Sequence, residues 1–276
     1  MIKRTLAVIV VVMFVALGVL AYSFLKTPDE ASAPIEAIPI GIEVDAPAEA
    51  NISETSEVEL QTEAEQALTN SATNADVAAT SEPNSEEAAT TNSPTIFEIV
   101  PAESEVRFMI DEVLRNEPFT VVGTTDQVAG EFAVDATDLS TIQMGPILVN
   151  ARTLASDNDF RNRAIKNQIL TTDAYEFITF TPTDIIGLSG NGTLGEGYDF
   201  QIVGDLTIRD VTQAVTFAAS ATALSETRLE GAASVTILYD DFGLVIPASQ
   251  AVSAVDDEVI LEIDFVAMAK DQTNPS

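Results

Sequence analysis

Six carboxylates stand close enough in sequence to suggest chemistry: Asp240 beside Asp241, Asp256 beside Asp257, and Glu262 two residues from Asp264. Paired carboxylates are the equipment of acid–base hydrolysis, in which one group donates a proton and the other acts as base or nucleophile. Adjacent residues on a regular strand point to opposite faces, so Asp240 and Asp241 cannot both enter one site. With 44 acidic residues against 12 basic ones and a net charge of -32, such neighbours also arise as ordinary solvated surface. The chain has no His and no Cys. That removes the imidazole base, the thiolate nucleophile, the disulfide framework and the His-containing zinc site. The oxygen-rich stretches DNDFRN and YDDFG lack the spacing and the distal glutamate of an EF-hand loop. No catalytic residue, metal ligand or cofactor is assigned, and the chain is not read as an enzyme. The same negative field opposes contact with a phosphate backbone, so no nucleic acid partner is expected.

The elements that would position any site divide the chain into four parts. Residues 1–26 carry Lys3 and Arg4 ahead of an uncharged, mainly apolar run from Thr5 to Leu25. At 1.5 Å per residue the run is long enough for about 30 Å of hydrocarbon, and it reads as a transmembrane signal-anchor helix. The positive residues precede it and an acidic stretch follows, which puts the C-terminal part outside the cytoplasm. A cleaved signal peptide, with Val19 and Ala21 before the cut, is the rival reading and would leave a secreted or periplasmic protein. Residues 27–94 are rich in Ala, Thr, Ser, Asn, Glu and Pro without a basic or aromatic residue, and read as an acidic disordered linker. A short helix over 54–69 and a glycosylated stalk are minor variants of that reading. Residues 95–270 form the globular domain, and 271–276 a flexible tail.

In the domain the apolar period is two. Val106, Phe108 and Ile110 share a face, as do Phe132 and Val134; Phe200, Ile202, Gly204, Leu206 and Ile208; and Val259, Leu261, Ile263, Phe265 and Ala267. Such alternation predicts antiparallel sheet with one dry face. About eight strands in this length can close into a barrel whose interior either packs on itself or holds a small apolar ligand. The candidate inner face is Phe108, Ile110, Phe132, Phe177, Leu206, Ile208, Phe217, Val235, Ile237 and Phe265, with Gly204, Ala219 and Ala221 as small positions that leave room. One segment departs from the pattern: after Asp157 or Asn158 as cap, residues 158–170 predict a short helix with Phe160, Ala164, Ile165 and Ile169 near one face. Its Arg161, Arg163 and Lys166 make a local positive spot, read either as ion pairs or as an attraction for an anionic headgroup.

FEIVPAESEVRFMI, VVGTTDQVAGEFAVD, RTLASDNDFRNRAIKNQILTTDAYEFITF, VGDLTIRDVTQAVTF and LYDDFGLVIPASQAVSAVDDEVILEIDFVA follow one another in the order of the landmarks of the YceI-like family. The resemblance covers about residues 96–269 and is strongest at GDLTIRDVTQAVTF. It implies an all-β, lipocalin-like, extended antiparallel β-barrel with a short helical segment, here preceded by the transmembrane helix and the linker. It also implies binding of a polyisoprenoid, an isoprenoid quinone or a related lipid, for carriage or sequestration. Carried onto this sequence, Phe108, Phe177, Leu206, Ile208, Phe217 and Ile237 line the channel and Arg161 stands near its mouth. The chain departs from the family where Ala164 and Ile165 replace a His-Leu pair, and where Asp210, Glu176 and Tyr239 replace Gly, Pro and Arg.

The reading from sequence is therefore a membrane-tethered binding domain for a long apolar ligand, with membrane contact through residues 5–25. The alternative is a non-catalytic structural or protein-interaction domain of the cell envelope whose barrel is filled by its own side chains. A homodimer is compatible with either.

Overall fold

The computed structural model describes Tyr22, residues 26–41 and residues 93–270. The rest of the apolar run 5–25, residues 42–92 with the 54–69 helix, and the tail 271–276 lie outside the described residues.

The alternating segments become strands, all paired antiparallel: β1 (Thr95–Ile99), β2 (Glu105–Leu114), β3 (Glu117–Thr125), β4 (Val128–Ala129), β5 (Glu131–Val134), β6 (Gln143–Met144), β7 (Ile147–Asn150), β8 (Phe177–Ile186), β9 (Gly197–Ile208), β10 (Val211–Ser225), β11 (Arg228–Leu238) and β12 (Val252–Ala269). They form one curled sheet in the order β4-β7-β8-β9-β10-β11-β12-β1-β5-β6, with β2 on β12 and β3 on β2. The all-β expectation takes the form of an antiparallel half-barrel with one short helix. Register is what makes its inner face apolar: Phe217 faces Ile202, Val235 faces Leu261, and Ala233 faces Ile263 and Ala219. A slip of one residue in any of these strands would turn that row outward.

The tight curl uses glycine beneath phenylalanine. A Cβ at Gly123 would meet the Phe108 ring at 2.2 Å, one at Gly231 the Phe265 ring at 2.6 Å, and one at Gly204 the Thr181 carbonyl oxygen at 2.5 Å and the Phe180 ring at 2.7 Å. As a small position Gly204 is expected to leave room in the interior. Its space is instead occupied by Phe180, because a ring laid across a neighbouring strand fills the gap that a missing side chain creates.

The helical segment starts where its cap predicts. Asn158 accepts hydrogen bonds from the Phe160 and Arg161 N–H groups, opening α1 (Asp159–Ala164). The chain then widens into a π-turn over Ile165–Ile169, closed by the Leu170 N–H on the Ile165 carbonyl. Together α1 and the π-turn form a cap.

Residues 26–41, of which 27–41 are assigned by composition to the spacer, lie along the sheet as a strap. The Lys26 ammonium pairs with Asp173, and the Lys26 carbonyl accepts from the Asn167 amide at 2.8 Å. Arg152 donates to the Glu30 carbonyl at 3.2 Å, and the Ser32 N–H and hydroxyl both reach the Glu176 carboxylate, at 2.8 and 2.7 Å. Farther on, the Ile40 N–H donates to Glu131 at 3.1 Å. Glu131 is only 2% exposed and also accepts from the Lys270 ammonium at 2.6 Å.

Candidate functional site

Between the inner face of the sheet and the cap lies a cavity of about 280 Å³. One water needs about 10–15 Å³ in this measure, so there is room for roughly 20 water-sized groups. A packed protein interior leaves few voids larger than one such group. The wall is built mainly from inward positions of long strands: Phe108 and Ile110 of β2, Leu206 and Ile208 of β9, Ala233 and Ile237 of β11, and Leu261, Ile263 and Phe265 of β12. Phe132 and Phe217 complete it from β5 and β10, and the cap adds Ile165, Ile169 and Leu170.

Nine of the ten residues proposed from sequence meet at this cavity: Phe108, Ile110, Phe132, Leu206, Ile208, Phe217, Ile237, Phe265 and Arg161. Phe177 does not. It is 39% exposed, and Ile178 and Phe180 take the inward places on β8. The local sequence FITF has apolar residues on both faces, so the period alone could not fix which one turns in. Val235 packs half-buried against the core without reaching the cavity. Phe180 stacks edge-on against Phe217, with ring centroids 4.9 Å apart, and Phe132 meets Phe265 at 5.8 Å.

Phe160 also departs from expectation. It is 77% exposed, whereas Arg161 and Ile165 face the cavity. Successive helical residues are rotated by about 100°, so Phe160 lies about 140° from Ile165 while Arg161 lies about 40° from it. The exposed ring is instead covered in part by the Arg163 guanidinium, 5.7 Å from its centroid.

Charge at the cavity is paired. Arg161 reaches Glu112 at 3.2 Å, bonds to Asp157, and lies 5.5 Å from the Phe119 ring centroid. Arg107 joins Glu262 at 2.8 Å and Glu105 at 3.1 Å, and also holds Asp264. The hydrogen bonds it donates to Glu262 and then Asp264 keep the Arg107 guanidinium protonated well above its ordinary range. The two carboxylates that shared a face in the sequence are thus committed to one guanidinium. Asp240 and Asp241 fall in a 3-10 turn at Tyr239–Phe242, and Asp257 accepts from the Tyr239 hydroxyl at 3.3 Å. Burial, followed by the nearby carboxylates of Asp257 and Asp240, raises the pKa of that phenol.

Sequence reasoning missed the cavity contributions of Leu244 and Ile246, which come from the connection between β11 and β12, and of Ala233. LVIP carries no strand period, and an isolated Ala among AAS gives no signal of what it faces.

The family model for the YceI-like domain matches residues 97–267. The chain belongs to the YceI-like family. The matched region runs from β1 through β12, so it contains the whole cavity and the cap. Among solved structures, Burkholderia cenocepacia BcnA is 16% identical, with 62% of this chain and 99% of that one covered and a TM-score of 0.50. A polyisoprenoid binding domain from Saccharophagus degradans implicated in plant cell wall breakdown is 14% identical over 63% of this chain and 98% of that one, with a TM-score of 0.48. The Campylobacter jejuni YCEI protein is 16% identical over 54% and 85%, with a TM-score of 0.45. No curated protein matches the chain. At these identities the likeness of the YceI-like domain to BcnA is one of fold.

Proposed function

We propose that the YceI-like domain takes the apolar tail of a polyisoprenoid, isoprenoid quinone or related lipid into its cavity, for carriage or sequestration, and that residues 5–25 tether it to a membrane with the domain outside the cytoplasm. The observation that carries this reading is the unfilled apolar volume of about 280 Å³ under the cap. Each buried methylene contributes about 0.8 kcal/mol, so a chain of roughly 20 carbons is held by area alone, without a charged clamp. The pairing of Arg161 with Glu112 and Asp157 fits that economy, because the polar groups at the mouth already satisfy one another. The same volume counts against the alternative of a structural domain filled by its own side chains. Membership of the YceI-like family lends support to the ligand class.

The test is extraction of lipid from the purified full chain, followed by mass spectrometry, beside the variant Leu206→Glu. Lipid adhering to residues 5–25 is common to both proteins, so the cavity ligand is the species lost in the variant. Identical lipid profiles from the two proteins would refute the reading.

A further inference from the structure

The strap fixes where the chain enters the domain. Lys26 follows directly on the uncharged run Thr5–Leu25, and it is bound on two sides, by Asp173 through its ammonium and by Asn167 through its carbonyl. Asn167 belongs to the π-turn whose Ile165 and Ile169 line the cavity. The apolar run therefore ends at the cap. A freely flexible linker over residues 27–94 would give the domain a root-mean-square reach of about 45 Å from the anchor. With the strap seated, the reach from Leu25 to the cap is that of a single residue.

The end of the domain that receives Lys26 carries the two most exposed large apolar side chains of residues 93–270, although Ile186, Leu194 and Leu224 are also exposed at the other end. Phe160 on α1 is 77% exposed and stands about 10 Å along the helical axis from Asn167. Val245, 73% exposed, lies in the connection that gives Leu244 and Ile246 to the cavity. Between Asp157 and Lys166 there are three basic and two acidic residues, whereas residues 96–276 together carry a net charge of -20. That local excess of one positive charge opposes lipid headgroups less than the mean charge of the domain does, and an aromatic ring with a guanidinium beside it suits the boundary between headgroup and acyl chain.

We propose that this cap surface docks on a lipid bilayer: the strap holds α1 and the π-turn against the outer face of the membrane, with Phe160 and Val245 in its interface. An apolar ligand then passes between bilayer and cavity without crossing open water. The proposal rests on the reading of residues 5–25 as an uncleaved anchor, and it leaves the identity of the ligand free.

The chain contains no tryptophan, so Phe160→Trp creates a single fluorescent reporter at an exposed position. The full chain is placed in phosphatidylcholine vesicles with brominated acyl chains. The expected result is at least a twofold loss of emission relative to unbrominated vesicles. Leu194→Trp, in the exposed connection beyond the far end of β8, should lose none. Adding Ser32→Pro and Asp173→Lys, which remove the bonds to Glu176 and repel Lys26, should restore the emission of Phe160→Trp. Equal quenching at the two positions, no quenching at Phe160→Trp, or quenching that survives release of the strap would each overturn the docking. A chain that fails to sediment with the vesicles would overturn the anchor reading as well, and the lipid extraction described above separates both results from a failure of the cavity.

Discussion

Filling the cavity from one side gives a quantitative test of what it holds. Ala233 is 8% exposed, lines the cavity, and faces Ile263 on one neighbouring strand and Ala219 on the other. Ala233→Phe projects six more carbons inward. In a well-packed core that insertion would cost about 1–3 kcal/mol, but here the ring enters empty volume, so the thermal midpoint should hold or rise. The ring displaces roughly six of the 20 or so groups the cavity accommodates. At about 0.8 kcal/mol per methylene a ligand that fills the site loses about 5 kcal/mol, between three and four orders of magnitude in Kd. A two-isoprene alcohol still fits the remaining space and should bind within about twofold of its original affinity, whereas a four-isoprene alcohol should lose most of its affinity. The assay is competition against a fluorescent apolar probe on the full chain, with the two alcohols measured in parallel. Unchanged binding of the longer alcohol, or equal weakening of both, would refute the assignment of Ala233 to a chain-filled wall.

Three further outcomes are expected. Gly204→Ala places a methyl group 2.5 Å from the Thr181 carbonyl oxygen, a backbone atom that cannot swing aside; denaturant titration should show a loss of about 1–3 kcal/mol. Phe177→Ser should change stability by less than about 0.5 kcal/mol and leave probe uptake intact, whereas Phe180→Ala, at an inward position of the same strand, should cost about 3–5 kcal/mol. The strap should release in acid. Burial raises Glu176, but the Ser32 N–H and hydroxyl, Asn150 and Arg152 outweigh it and leave its pKa below 4.5, while the hydrogen bond from Lys26 leads the lowering of Asp173 below 3.8. Carboxylates with depressed folded values stabilise the folded form above their unfolded pKa, and that contribution is lost as pH falls through the folded one. Hydrogen-exchange protection of the Ser32 and Ile40 N–H groups, corrected for the intrinsic rate at each pH, should therefore fall below about pH 4, where circular dichroism still reports intact sheet.

Most of the sheet was legible because its long strands have one dry face. Val259, Leu261, Ile263 and Phe265 alternate with charged or outward residues, and only one register buries them. Legibility failed where both faces of a strand are apolar, as at Phe177 and Phe180, and where a side chain does its packing across a strand, as Phe180 does over Gly204. The helical segment shows the limit of counting apolar positions: Phe160 and Ile165 are both hydrophobic, yet five residues of helix set them on different sides. The strap left no mark in the composition at all. Its bonds run through the Ser32 and Ile40 N–H groups, the Lys26 and Glu30 carbonyls and a few short polar side chains, and a low apolar content reports only that a segment cannot build a core. Glu131 was hidden for the same reason: GEFAVD reads as a strand with Glu131 on its wet side, and it is the strap that covers it.

At Glu131 the strap ends on the same carboxylate that holds Lys270, and the chain re-enters the sheet at Thr95, opposite Val134 on the same strand as Glu131. The strap and β1 thus meet on one short strand, β5. A pull applied to the chain ahead of Lys26 would load the polar bonds of the strap first, and they would break in succession. Only after they have broken does the ladder of the sheet feel any force. Between Lys26 and Thr95 a chain of this length spans about 230 Å when fully drawn out. The strap is in this sense a mechanical fuse: a pulled domain gives up these polar bonds before its sheet is strained.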